Sequence, residues 1–498
     1  MLNRIPRLCA TLTKSNCRSM STETRLSSAL SKKGLLNTPG ITYASKKAME
    51  ELLHKDAETH HCFFNKIGFH NHLSHHILAA YDLGTPAAHL QKMYDEEDKD
   101  QRPKYLEKGD ESIVVTRSNW VQYLTNTSAY GAFLNFFTQE IQEIGAVGLL
   151  EKYVFSEEAN VEGVWMLTRV MSGAVHPFIQ IGYGAEFGVD SMIVTGLAMA
   201  TMHRVTANFV ARSSSTSSGI PLFEILTKVN ESEVLKPGPY NGDLLLSARL
   251  KEALANGGAD EIIRICSQYA LPDNISEAEV AHKTEEIIWA AVLLTFGAGK
   301  KSRKPRLDFF LMHILNSSLF LRPLCDLLKE PAHKAALLRA YVPMVVLTGL
   351  TRGRPHIDSE LLMSYTAVPR PPSTVTNNVQ PVPEAIGNPA VDEDYNPWPA
   401  IIEGVRYHSD AHTLKALRTL VYASQHFGDT PPGGVPGGSL DGGKGGETYS
   451  GISKIDGTVF IRAAGVLMDT LGWSGHGQKE GGWDRSALGW DAAWDNED

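Results

Sequence analysis

The chain has 498 residues, 43% hydrophobic and 21% charged, with a formal net charge of -9. That is ordinary globular composition, with length for a large core and for up to about three domains. The mild acidity, and the lack of a basic run interleaved with aromatics, argue against a nucleic-acid binder. No run of 18 apolar residues predicts a membrane span.

Residues 1–20 differ from the rest. They hold Arg4, Arg7, Lys14 and Arg18, no acid, and Leu2, Ile5, Leu8 and Leu12 at helical spacing. An acid-free, amphipathic, basic start is the pattern of an organellar presequence or of a plain tail. Residues 1–35 are therefore set apart from a helical domain over 36–498, and a mitochondrial location stands beside a cytoplasmic one. The five cysteines, Cys9, Cys17, Cys62, Cys266 and Cys325, are scattered and form no Cys-x-x-Cys pair. A disulfide framework and a thiolate zinc site are both disfavoured.

Five histidines crowd the stretch from Phe69 to Ile77 and its approach: His61, His70, His72, His75 and His76. Neutral imidazole is the commonest metal ligand and general base near neutral pH. Read as one helix, the stretch carries Phe69, Leu73, Ile77 and Ala80 as its apolar stripe. His72 and His76 then form an i, i+4 pair able to reach one point. Apolar spacing predicts further helices over Trp120–Ile144, Glu162–Val175, Glu277–Phe296, Leu307–Leu328 and His333–Leu350. Only Ile113–Thr116 reads as a strand. His176 stands before Pro177, which is expected to end or kink a helix there. His313 lies in a nearly all-apolar helix, where a buried imidazole must find partners.

Proline-rich residues 370–399 read as a connector, and glycine-rich residues 430–446 as a surface loop. A second histidine cluster lies between them. On the helix after Asp410, Leu414, Leu417, Leu420, Val421 and Ser424 share one face. His408, His412, Lys415, Thr419, Tyr422 and His426 share the other. That second face has no acid and one lysine, so it reads as the wall of a polar cavity. A lysine beside a cation has a lowered pKa. Its free amine can act as a base or take up carbon dioxide to give a metal-binding carbamate. Asp410 either completes a His-x-Asp iron motif with His408 or simply caps the helix. Gly297–Ser302 lacks the spacing of a phosphate loop, Gly182, Gly184 and Gly188 are not a dinucleotide fingerprint, and no Gly-x-Ser-x-Gly occurs. The late tryptophans Trp473, Trp483, Trp490 and Trp494 are expected to dock the tail on the core, with stacking on a flat ligand as the alternative.

These segments resemble the questin oxidase-like family. The resemblance is carried by Phe64–His76, Ala174–Ile179, Asp308–His313, His408–Lys415 and Trp483–Trp494. It implies an all-α oxidoreductase of fungal aromatic polyketide pathways. Such an enzyme inserts oxygen into, or cleaves, a ring of a polycyclic aromatic ketone such as an anthraquinone, in Baeyer–Villiger fashion. It also implies a non-haem iron(II), dioxygen as co-substrate, and NADPH as a reductant that not every reading requires. The expected ligands are His76, His176, His313 and His412, with His72 as a substitute and carboxylated Lys415 as an anionic donor. His75 or Tyr422 would move protons. Three rivals remain at this level: a metal-free NADPH-dependent Baeyer–Villiger enzyme, a metal-dependent hydrolase, and a non-catalytic binding protein.

Overall fold

Apolar residues at three- and four-residue spacing demand helices that bury one face or more, and the computed structural model is all-α. It describes residues 26–205, 208–209, 218–372, 381–440 and 446–495. The basic segment 1–20, with Cys9 and Cys17, lies outside the described residues. Cys62, Cys266 and Cys325 are buried free thiols. Among the described residues no strand forms. Four isolated bridges occur, and Ile113–Thr116 is extended but unpaired.

Most buried apolar side chains join one continuous core. Helix Ala411–Phe427 runs through its middle, buried on every side from Ala411 to Ala423. It packs on helices Leu73–Asp82, Phe309–Ser318 and Val459–Leu471. Helices His176–Phe187 and Asp190–Met202 form a tight pair with no exposed face to speak of. Helix Pro331–Thr351 is long and apolar enough to cross a membrane by length and composition, but 72% of that window is buried inside the fold.

Several expected helices are shorter than their apolar patterns. The Glu162–Val175 pattern keeps only Met166–Val170 as α-helix. Leu307–Leu328 divides into Phe309–Ser318 and Leu321–Leu327. Pro177 begins a helix rather than ending one, because a proline in the first turn gives up an amide that has no intrahelical partner anyway. The His72 region is also corrected: the helix starts at Leu73, with His72 at its N-cap, and Phe69 is exposed on a preceding turn. Asn65 Oδ1 accepts the amides of Ile67, Gly68 and Phe69 in that turn, which favours it over helix.

The tail docks as expected. Trp473 and Trp494 are buried, their indole N–H groups donating to Asp469 and to the Leu488 carbonyl. The backbone near Asp484 and Arg485 is tied to the start of helix Phe309–Ser318 through Phe309 N–H to Asp484 O (2.7 Å) and Arg352 to Arg485 O (2.9 Å).

Candidate metal centre

Four helices deliver one imidazole each to a common point. His72 caps Leu73–Asp82, His176 opens His176–Phe187, His313 lies within Phe309–Ser318, and His412 sits in the first turn of Ala411–Phe427. One ring nitrogen from each lies within 4.8 Å of every other. The last two helices are started by aspartates. Asp308 accepts the amides of Phe310 and Leu311, and Asp410 accepts that of His412. Before His176 the chain takes an unusual route. Gly173, Ala174 and Val175 all have left-handed φ, at 59°, 50° and 57°. That conformation is costly for alanine and more so for β-branched valine, and such strain gathers where geometry matters for function.

The other ring nitrogens fix which way each lone pair points. His176 Nδ1 donates to Gly173 O (2.6 Å) and His313 Nδ1 to Phe309 O (2.8 Å). His412 Nδ1 is 2.7 Å from Asp410 Oδ1. Carbonyls and carboxylates only accept, so all three Nδ1 atoms carry the hydrogen and all three Nε2 atoms carry the lone pair. This is the arrangement that orients metal-binding histidines. His72 Nε2 approaches His176 Nε2 at 2.8 Å, and the Nε2 atoms of His313 and His412 are buried without any partner. Asp410 thus has a double role, as helix cap and as the group that orients His412.

Electrostatics keep these rings neutral. Burial lowers the pKa of His72, His176 and His313 well below the ordinary histidine value, and neighbouring cations lower them further. In His412, burial and Lys415 outweigh the raising effect of Asp410. Lys415 is buried, its Nζ has no hydrogen-bond partner, and burial brings its pKa down to about 8. Its charge lowers the pKa of all four rings.

The donor set fits a divalent cation. Nitrogens bonded to one ion at about 2.1 Å lie about 3.0–4.2 Å apart for bond angles from about 90° to 180°, so a pair at the 4.8 Å bound closes by about 0.6 Å to lie opposite across the ion and by about 1.4 Å for a tetrahedral site. An ion would give partners to the orphaned Nε2 atoms, and four neutral imidazoles suit a transition metal better than a hard alkaline-earth ion.

The remaining expected residues separate. His76 does not join the four. Its Nδ1 pairs with Glu97, and its Nε2 is buried and unpartnered. The i, i+4 expectation fails because His72 is outside the helix, so the two rings are not stacked along one helical face. His75 lies beside the centre, with its ring 6.0 Å from that of His72, its Nε2 donating to Gln180 Oε1 (2.6 Å) and its Nδ1 free. Tyr422 lies two turns beyond Lys415 and packs on His426 and Phe427, away from the four rings. His408 is structural: its Nε2 donates to Leu471 O (3.0 Å).

Sequence patterns missed what holds these helices in place. Arg418, one turn beyond Lys415, is buried and bonds Asp82 at the end of the His72 helix (2.8 Å) and Glu186 near the end of the His176 helix. Asp82 also accepts the amides of Leu36 and Asn37, and Glu186 that of Leu35. Gly34 is required beside them, since a Cβ there would lie 2.0 Å from Asp82 Oδ1. A lone arginine in an otherwise uncharged helix, Ala411–Phe427 with Lys415 aside, was the available signal.

An apolar cavity of about 250 Å³ adjoins the centre. His313 and the Gly173–Val175 turn form part of its wall. Phe209, Leu250, Phe310, Ile314, Met344 and Leu347 are among the apolar residues of the rest.

The sequence matches the family described as Questin oxidase-like over residues 69–420. That span includes His72, His176, His313, His412 and Lys415 and stops short of Tyr422. A Baeyer–Villiger oxidase of Paecilomyces divaricatus is 29% identical over 304 residues, 58% of this chain and 63% of that protein. A questin oxidase of Aspergillus terreus is 25% identical over 414 residues, 80% of this chain and 85% of that protein. The oxidoreductase AflY of Aspergillus parasiticus is 26% identical over 408 residues, covering 78% and 76%. The chain spans under two thirds of the length of the first of these. With a family match extending over most of the chain and across every residue of the tetrahistidine cluster, this protein belongs to the questin oxidase-like family.

Proposed function

We propose that this chain is an oxidoreductase that uses a non-haem iron(II) and dioxygen to insert oxygen into, or cleave, a ring of a polycyclic aromatic ketone such as an anthraquinone. The observation that carries the reading is the convergence of four neutral imidazoles, three of them hydrogen-bonded outward through Nδ1, beside an apolar cavity. The relatives' names, Baeyer–Villiger oxidase and questin oxidase, supply the reaction class.

His72, His176, His313 and His412 would hold the iron, which when bound would relay electrons to dioxygen from the aromatic substrate, or from NADPH where a single oxygen atom is inserted and the other leaves as water. Lys415 supports an anionic donor in the same space. Its depressed pKa leaves a useful fraction of free amine at neutral pH, and that amine combines with carbon dioxide to give a carbamate and release one proton. The carbamate would offset part of the metal charge, which four neutral imidazoles cannot do. His75 is oriented by Gln180 so that its Nδ1 lone pair is free to accept a proton. The cavity offers aromatic and aliphatic walls to a flat substrate.

Metal analysis of protein purified anaerobically with ferrous iron tests the reading. About one iron per chain, lost in His412→Ala with the helical circular-dichroism signal retained, is expected, together with oxygen uptake on anthraquinones. NADPH is added and omitted in the same assay to decide whether an external reductant is needed. No bound metal with NADPH-driven turnover would replace this reading with the metal-free enzyme. Two metals and no oxygen uptake would replace it with a hydrolase.

A further inference from the structure

Two more histidines stand against the centre without pointing into it. His70 and His203 face each other, with Nε2 to Nε2 at 3.0 Å. A neutral pair at that distance holds one hydrogen between two nitrogens, so neither Nε2 is free to bind an ion. Both rings are neutral, held low chiefly by burial, His203 at about 4.

The placement of the pair is specific. The His70 ring lies flat on that of His176, with centroids 3.9 Å apart and planes 9° apart. The His203 ring closes on Gly173, where a Cβ would fall 2.2 Å from His203 Cε1. Gly173 in turn supplies the carbonyl that accepts from His176 Nδ1. Phe63 packs edge-on against both rings from the far side, at 5.2 Å and 5.8 Å. Arg169 bonds the His203 carbonyl and, through its other nitrogens, Val164 O (2.6 Å) and Gly163 O (3.0 Å). His176 is therefore held on its face by His70 and at its Nδ1 by Gly173, and both supports rest on His203.

We propose that the His70–His203 pair is a positioning device for the His176 ligand, fixing the plane of that ring and the left-handed turn that carries its hydrogen-bond acceptor. This rests on the metal-centre reading above. It assigns a role to two histidines that give no lone pair to the ion. The strained Gly173–Val175 turn follows from the same arrangement: only a residue without Cβ fits under the His203 ring, and the next two residues continue its handedness into the helix.

Cobalt(II) is the probe, because its visible ligand-field bands report geometry and its titration reports affinity without turnover. In full-length protein, His70→Ala and His203→Ala are expected to bind one cobalt with affinity reduced about 10- to 100-fold, the usual effect of losing an outer partner of a ligand, and with shifted bands. His70→Phe, which restores a flat ring on His176, is expected to recover most of what His70→Ala loses. His203→Gln can still bond His70 but lacks the ring on Gly173. It removes less volume and is expected to show the same weakened binding, so it serves if an alanine variant does not fold. Parent-like affinity and bands in the His70 and His203 variants would overturn the proposal, as would failure of His70→Phe to improve on His70→Ala. A parent protein that binds no cobalt would instead overturn the metal-centre reading itself.

Discussion

Arg418→Met tests whether the buried cation is what holds three ligand-bearing helices together. The Arg418, Asp82 and Glu186 side chains are each no more than 1% exposed. Removing the guanidinium while leaving both carboxylates breaks a buried ion pair, a change that costs about 3–5 kcal/mol. Asp82 keeps two backbone donors, at 3.1 Å from Leu36 and 2.8 Å from Asn37. Glu186 keeps only the Leu35 amide and is already raised to about 7 by burial against the pull of Arg418. Without Arg418 it takes up a proton near neutral pH. At about 2.1 cal/mol/K of unfolding entropy per residue, 498 residues give about 1 kcal/mol/K. The expected fall in melting temperature is then about 3–5 °C. Scanning calorimetry of the parent, Arg418→Met and the double variant Arg418→Met/Glu186→Gln is the assay. The double variant should recover about 1–3 kcal/mol of the single variant's loss, because glutamine is neutral without the cost of protonating Glu186 above its ordinary pKa of 4.5. A single variant melting within about 1 °C of the parent, or a double variant no better than the single, would refute the assignment of Arg418 as the common tether.

Two further outcomes follow from the site. Met344→Trp, placed in the wall of the apolar cavity and not one of the four clustered histidines, should weaken binding of a hydroxylated anthraquinone at least tenfold, about 1.4 kcal/mol, while leaving metal content at the parent level. Unchanged binding, followed by the quinone's visible absorption, would remove the cavity from the substrate path. Acid should destabilise the metal-free protein. His61 and His203 fall from 6.5 to about 4 on folding, chiefly through burial, so the unfolded chain binds more protons between those values. Their contribution is present above pH 6.5 and lost as pH falls to 4, up to about 3 kcal/mol each. The buried His70, His72, His75, His176 and His313 act in the same direction. Glu186, Glu285 and Asp190, whose pKa values burial raises, act in the opposite direction, but they are three groups against these seven histidines. Melting temperature should therefore rise from pH 4 to pH 6.5, and a flat or falling profile would contradict the neutrality of these rings.

How far the sequence led can be judged from particular residues. Helical class was legible because apolar spacing is local, and so were His412 and Lys415, three residues apart on one buried helix. His176 and His313 could be suspected only as polar residues in apolar company. Their convergence depends on how separate helices pack, which spacing within one helix does not encode. His72 and His76 show the limit most clearly. The i, i+4 geometry holds only inside a helix, and an asparagine-capped turn ending just before His72 moved the boundary by a few residues. That shift sends His72 to the four-histidine cluster and His76 to Glu97. The supports were the least legible part, since Arg418 reaches Asp82 across 336 residues and Glu186 across 232.

The same separation explains why the site is built as it is. Each ligand comes from a different helix, so its aim depends on helix ends, and each end is fixed by a polar group placed for that purpose. Asp308 and Asp410 fix the starts of the His313 and His412 helices, and the His70–His203 pair and Gly173 fix the start of the His176 helix. Arg418 fixes the far ends of the His72 and His176 helices together. A centre assembled this way can hold four neutral nitrogens at a set spacing without help from any β-sheet. Its cost is a set of buried polar groups, each harmful if its partner is lost. Lys415 is the exception, buried with no protein partner at all. On the proposed reading, carbamate formation on the Lys415 amine would give that group an ion to pair with, as the metal would for the buried Nε2 atoms of His313 and His412.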